Sequence, residues 1–242
     1  MKILAIVEYL GTYYHGWQKQ INANSVQEEI EKVLSQILNQ EITIYGSGRT
    51  DAGVHAKGQT FHFEVDKEID LDKFLYSVNM LLPNDIHIIS MKEVDNGFHA
   101  RYSAKKKHYR YLINNGDKNP FIFNRTLYYP YPLNITKFIE CLDLFEGTHN
   151  FQDFTSKEED EDGFIRTIYS IDVKQEENDI SIDIIGNGFM RYMIRDIIGT
   201  SLAVASGKED IEFIKKHLDS SNREIVSYKA GSEGLYLIDI IY

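Results

Sequence analysis

The sequence predicts an α+β fold built from two copies of a β-α-β-β-α-β unit, and three observations predict it. Apolar residues alternate with a period of two over short stretches and recur at helical spacing over longer ones, the two patterns take turns along the chain, and the order of the first half returns in the second. With 242 residues and 43% hydrophobic content, the chain is long enough to bury a substantial core as one large domain or two small ones.

Residues 2 to 8 read as a strand. Ser25 then opens a helix: Glu28 stands three positions on, as in a capping box, and Val26, Ile30, Val33, Leu34, Ile37 and Leu38 recur at helical spacing. Ile42 to Tyr45 and Gln59 to Val65 are predicted strands, the second turning Phe61, Phe63 and Val65 to one face. Asp70 caps a helix lined by Leu71, Phe74, Leu75, Val78 and Leu82, which Pro83 ends, and a strand follows near 86 to 94. This is the split order of ferredoxin-like units.

The second half opens with a strand at 105 to 114 and a Pro- and Tyr-rich excursion from Asn119 to Pro132. A helix carried by Ile135, Phe138, Ile139, Leu142 and Phe145 follows, then strands near 165 to 174 and 180 to 185. A helix is expected from about Phe189, with Met190, Met193, Ile194, Ile197 and Ile198 on one stripe. A polar helix from about Asp210 and a closing strand at Leu235 to Ile241 complete the order. The halves are therefore set at 1–104 and 105–242. Two such units joined edge to edge leave a groove where loops from both converge, a natural active-site location.

The N-terminal apolar run meets Glu8 too soon for a signal peptide or a membrane span, so a soluble protein is expected. Cys141, the only cysteine, cannot form an intrachain disulfide and falls on the apolar stripe of a helix, which suits a buried thiol in a reducing cytoplasm. The formal charge of −11 opposes a broadly basic nucleic-acid surface and confines any phosphate contact to local basic ground. Such ground stands at Arg101 to Tyr111, where Lys105, Lys106, Lys107, His108 and Arg110 mix with Tyr102, Tyr109 and Tyr111, and at Arg191 and Arg195. A solvated basic strand edge is the alternative reading of the first stretch. Acidic residues cluster in a loop at Glu158, Glu159, Asp160, Glu161 and Asp162.

The connection Gly46-Ser47-Gly48-Arg49-Thr50-Asp51-Ala52-Gly53-Val54-His55-Ala56 is rich in glycine and functional side chains for a link between strands. Its glycines allow positive φ and close approach of a ligand, and Thr50 can satisfy loop amides; the plain alternative is a turn with an Asx-type bond at Asp51. It lacks the Gly-Lys-Ser/Thr ending of a phosphate-binding loop and the dinucleotide fingerprint. The eight histidines have no metal-ligand spacing, and no G-x-S-x-G elbow exists. No metal and no cofactor are expected.

Gly48-Arg49-Thr50-Asp51-Ala52-Gly53-Val54-His55-Ala56 resembles the signature of the tRNA pseudouridine synthase A family. Other stretches agree in order: Glu8 to Thr12 with Gly16-Trp17-Gln18, Leu82-Pro83-Asn84-Asp85, Phe98-His99-Ala100-Arg101, Tyr109-Arg110-Tyr111, Gly147-Thr148-His149, Met193-Ile194-Arg195 and Gly234-Leu235-Tyr236. The resemblance implies two halves forming one mainly antiparallel sheet with helices on one side and a central cleft. It also implies a homodimer acting on tRNA at positions 38 to 40 of the anticodon arm, with the same chemistry on ribosomal RNA as the alternative substrate. By position, Asp51 resembles the essential aspartate, Arg49 the arginine that helps displace the target base, Tyr109 the tyrosine beside that base, and Arg195 the arginine paired with the aspartate. Lys105, Lys107 and Arg191 would add substrate contacts. The chain departs from the family at Ala230-Gly231-Ser232-Glu233, where an Ala-Pro-Ala-like run is usual, so this loop is expected to be less stiff.

Overall fold

The computed structural model describes residues 1–159 and 163–242. They form two compact units, Met1–Lys105 with Tyr236–Tyr242, and Lys106–Leu235. The closing strand, which the sequence order puts in the second half, thus belongs to the first unit in all but its first residue.

In the first unit β1 (Lys2–Tyr9) leads to α1 (Val26–Leu38), β2 (Tyr45–Gly46), β3 (His55–Glu64), α2 (Leu71–Leu81) and β4 (Ile86–Val94). β1 is central, antiparallel to β3 on one side and to β4 on the other. Both helices start where capping chemistry puts them. The Ser25 hydroxyl accepts the Glu28 N–H at 3.3 Å and the Asp70 carboxylate accepts that of Lys73 at 3.2 Å, satisfying amides that the first turn leaves orphaned. Left-handed Asn39 ends α1, and α2 stops before the residue that precedes Pro83. Ile3, Ala5 and Val7 on β1 and Phe61 and Phe63 on β3 are fully buried, and with Ile30 and Leu34 of α1 and Val78 of α2 they make the core.

The predicted strand at Ile42–Tyr45 shrinks to the two residues of β2. Its alternation is real, since Ile42 and Ile44 are buried and Glu41 and Thr43 exposed. Its backbone, however, is satisfied by side chains of α1 rather than by a ladder. Ile42 N–H donates to Ser35 Oγ at 2.9 Å, Ile44 N–H to Glu31 Oε1 at 3.1 Å, and Gln27 Nε2 to Ile44 O at 3.2 Å. A period of two signals half-burial, and half-burial does not require a partner strand.

The second unit contains β5 (Lys106–Asn114), β6 (Leu127–Tyr128), α3 (Ile135–Asp143), β7 (Gly147–Asn150), β8 (Ile165–Glu176), β9 (Asp179–Gly186), α4 (Met193–Ala205) and α5 (Ile211–His217). β5, β9, β8 and β7 pair antiparallel in that order, and β6 lies parallel to β5. β7, too short and polar for a strand pattern, was not expected. Cys141 on α3 is buried, and burial pushes its thiol up to about 11, so it is inert as expected.

α4 begins at Met193 rather than near Phe189, because Tyr192 adopts the left-handed conformation (φ 66°, ψ −6°) and breaks the helical path. Nor is α4 a one-stripe helix. Asp196, Thr200 and Ser201 are buried along with Ile194, Ile197 and Ile198, so it is covered on nearly every side. The apolar spacing marks one face, and the small residues on the others permit close neighbours. The last strand, β10 (Leu235–Ile241), runs parallel to β3 through Tyr236↔His55 and Leu237↔Ala56. The α+β class with mainly antiparallel strands agrees with the sequence reading.

Candidate active site

The loop between β2 and β3 is held rigidly on both sides of Asp51. Thr50 is buried, with exposed Arg49 before it and half-buried Asp51 after it. Thr50 Oγ1 shares a buried 2.8 Å hydrogen bond with the Tyr9 hydroxyl, and Thr50 O accepts the Trp17 N–H at 3.2 Å. Downstream, Gly53 N–H donates to Tyr14 O at 3.2 Å, and Val54 N–H closes the turn onto Asp51 O at 3.1 Å. Upstream, Ser47 N–H donates to Thr60 O at 2.9 Å and Ser47 Oγ to Gln59 Oε1 at 2.7 Å, while Gln59 Nε2 reaches Gly48 O at 3.0 Å. Arg49 Nε donates to Gln18 Oε1 at 3.1 Å. Bonds from residues 9 to 18 and from β3 thus fix the backbone that carries the carboxylate, the condition for a preorganised catalytic group.

Glycine makes this close stacking possible, partly at positions the loop itself does not contain. A Cβ on Gly11 would lie 1.9 Å from Val54 O, and one on Gly16, at φ +93°, 2.5 Å from Thr50 O. Gly53 takes the positive φ (+79°) expected of the loop, whereas Gly46 serves as the floor beneath Trp17. His55 follows, fully buried; its Nδ1 accepts the Gly11 N–H at 3.0 Å, and its ring stacks on Tyr236 at 4.6 Å. It braces the same contact rather than facing substrate.

In the second unit β5 splits the basic stretch between two faces. Lys107, Tyr109 and Tyr111 share one, Lys106, His108 and Arg110 the other. Tyr109 is buried and meets Phe189 edge-on at 5.3 Å. His108 and Arg110 are not free for RNA. His108 Nε2 lies 2.6 Å from Asp183 Oδ1, and Arg110 binds both carboxylate oxygens at 2.9 and 3.1 Å. Burial pushes the Asp183 carboxyl up, but hydrogen bonds from Arg110 and His108 outweigh it and hold it below the usual range. Lys106 lies over Tyr169 at 4.9 Å, and Lys105, in the first unit, is exposed.

Arg195 sits in the first turn of α4. Its Nε donates to Ala230 O at 2.9 Å, and its own carbonyl accepts the Ala230 N–H at 2.9 Å. Gly199, one turn along, lets the 228–230 segment lie directly on the helix, since a Cβ there would meet Ala230 N and Tyr228 O at 2.7 Å. Arg191 precedes α4, whereas a helix from about Phe189 would put it one turn before Arg195 on the same helix. They converge instead on the ring of Tyr192, at 4.7 and 5.2 Å, where Lys229 joins them at 3.9 Å. Sequence reasoning missed Tyr192 and Lys229, and a lysine 37 positions away in sequence leaves no local signal (229 minus 192).

The loop that departs at Gly231 is tied down by Tyr111 Oη, which donates to Gly231 O at 2.7 Å, and by Leu112 N–H, which donates to Gly234 O at 2.8 Å. Of the acidic block, Glu158 and Glu159 are exposed, and Asp160, Glu161 and Asp162 lie outside the described residues. Arg223 grips the approach to it, donating to the carbonyls of Thr155, Lys157 and Glu158. Among the described residues no cluster of three acidic, His or Cys side chains could hold a metal, and no helix is long and apolar enough to cross a membrane.

A family model described as tRNA pseudouridine synthase matches residues 5–103 and 142–242, two stretches that include the Asp51 loop and α4. A tRNA pseudouridine synthase A of Ruminiclostridium cellulolyticum is 43% identical over 243 residues, covering 100% of this chain and 99% of that one. The same enzyme of Thermoanaerobacter sp. (strain X514) is 39% identical over 99% of both chains, and that of Streptococcus uberis 37% identical over 98% and 97%. Similarity of this order along the full length of both partners, with the braced carboxylate loop inside the matched stretch, means that the chain belongs to the tRNA pseudouridine synthase family.

Proposed function

We propose that the chain isomerises uridine to pseudouridine in the anticodon arm of tRNA, at positions 38 to 40, with Asp51 as the catalytic carboxylate. The observation that carries this reading is the half-buried Asp51 beside exposed Arg49, on a loop whose backbone is bonded on both sides of the carboxylate.

The reaction breaks the bond from C1′ to N1, turns the base while it stays bound, and joins C1′ to C5. The C5 proton is released and N1 gains one, so the base keeps its oxidation state and no redox partner is needed. Asp51 attacks the sugar or the ring, or takes a sugar proton on a glycal route; each role requires the ionised form. Arg195 supplies the cation that favours that form. The target base must leave its stack, which costs on the order of a few kcal/mol; Arg49 fills the gap and Tyr109 packs on the base. Lys105, Lys107 and Arg191 neutralise backbone phosphates. With His108 and Arg110 committed to Asp183 and a formal charge of −11, these few cations carry most of the attraction. The working form is a cytoplasmic homodimer that lays one tRNA arm across both subunits.

Incubating the purified protein with a tRNA transcript and with a ribosomal RNA fragment of equal length, then mapping pseudouridine, tests the substrate. Conversion within the tRNA anticodon arm is expected, with the ribosomal fragment left unmodified. Conversion of the ribosomal fragment alone would move the assignment to that RNA.

A further inference from the structure

We propose that Tyr192 is a positioning residue for this reaction, its ring being the surface on which Arg195 is held for the Asp51 chemistry and Arg191 and Lys229 are held to face an RNA phosphate. The inference rests on the reading that Arg195 serves the Asp51 chemistry, and it adds two residues, Tyr192 and Lys229, to that machinery.

The first observation is the backbone. Tyr192 is left-handed at φ 66°, a region that bulky side chains rarely occupy and that asparagine or glycine would fill with less strain. It stands at the N-cap of α4, where its carbonyl accepts the Asp196 N–H at 2.9 Å but its side chain makes no capping bond, so the ring does not serve the helix. A strained residue whose side chain contributes nothing to the element it begins is a candidate for function.

The second is the company its ring keeps. The guanidinium carbons of Arg191 and Arg195 lie 4.7 and 5.2 Å from the ring centroid and Lys229 Nζ lies 3.9 Å from it, all within cation–π range. Each cation also has a second contact. The Tyr192 hydroxyl accepts Arg191 Nη2 at 2.8 Å, and Thr155 Oγ1 donates to Arg191 O at 2.9 Å. Arg195 is bonded to Ala230 O, and Lys229, the residue before Ala230, approaches Asp196 at 3.9 Å. Three like charges gathered at one ring repel one another; the negative face of the ring offsets part of that, and an RNA phosphate would offset more.

The test measures kcat and KM on a tRNA transcript together with Tm. Tyr192→Asn removes the ring at a position whose backbone suits asparagine, so Tm is expected to stay level or rise while kcat falls roughly tenfold or more, as a displaced catalytic arginine would cause. Tyr192→Phe keeps the ring and is expected to retain kcat within about threefold. Retention of kcat by Tyr192→Asn would overturn the proposal. So would an equal loss in Tyr192→Phe, or a lower Tm that accounts for the loss in Tyr192→Asn, because the role would then belong to the hydroxyl or to packing. Wild-type protein that forms no pseudouridine on any RNA would instead overturn the functional reading itself.

Discussion

Replacing Asp51 with alanine is expected to abolish pseudouridine formation, by roughly 10⁴-fold or more, while RNA affinity stays the same or tightens slightly. The loop supports this separation of effects. Its backbone is held by the Tyr9–Thr50, Trp17–Thr50 and Tyr14–Gly53 bonds, none of which uses the Asp51 side chain, so the variant keeps its fold and its exposed Arg49. Removing a negative charge near phosphates does not weaken binding. Single-turnover conversion and filter binding on one transcript measure both quantities. Turnover near that of wild type would mean that the carboxylate is not the catalytic group, and a parallel loss of affinity would mean that Asp51 shapes the loop instead.

Gly11→Ala is expected to be damaging as well, although Gly11 lies 40 positions from Asp51 in sequence (51 minus 11) and bears no side chain. A Cβ there would stand 1.9 Å from the Val54 carbonyl oxygen and 2.6 Å from its carbon, and backbone atoms cannot rotate away as a side chain can. Residues 11 to 17 must lift from the loop. The cost in stability is about 1–3 kcal/mol, as for overpacking elsewhere. A displacement of about 1 Å at the carboxylate costs on the order of 10²-fold in rate. Gly97→Ala is the control, because nothing lies within 4 Å of its added Cβ. A thermal melt and a rate measurement on the two variants decide the matter; equal behaviour would mean that the close contact at Gly11 does not position the loop.

Much of the fold was legible because its signals are local. Ser25 and Asp70 accept the amides their positions imply, and Phe61 and Phe63 bury the face their alternation implies. The misreadings share one cause, which is that partners distant in sequence decide the outcome. Ile42–Ile44 has the alternation of a strand but bonds to Ser35, Glu31 and Gln27 of α1. The stretch before α4 has helical spacing, yet Tyr192 turns left-handed there. At the site, Asp51 and Arg49 stood out by composition and family resemblance alike. The commitment of Arg110 to Asp183, 73 positions away, was invisible in a run of basic residues. Gly11, Gly16 and Gly199 were hidden for a related reason, since a glycine needed for close approach leaves no pattern until the opposing backbone is known.

The central claim is that this chain makes pseudouridine in tRNA with the Asp51 carboxylate. Its most direct test is to map pseudouridine in the RNA of cells that lack the protein, and in the same cells supplied with wild-type protein or with Asp51→Asn. Pseudouridine is expected to disappear from the tRNA anticodon arm, to return with the wild-type chain and not to return with the variant. An unchanged tRNA map in the deficient cells, or restoration by Asp51→Asn, would contradict it.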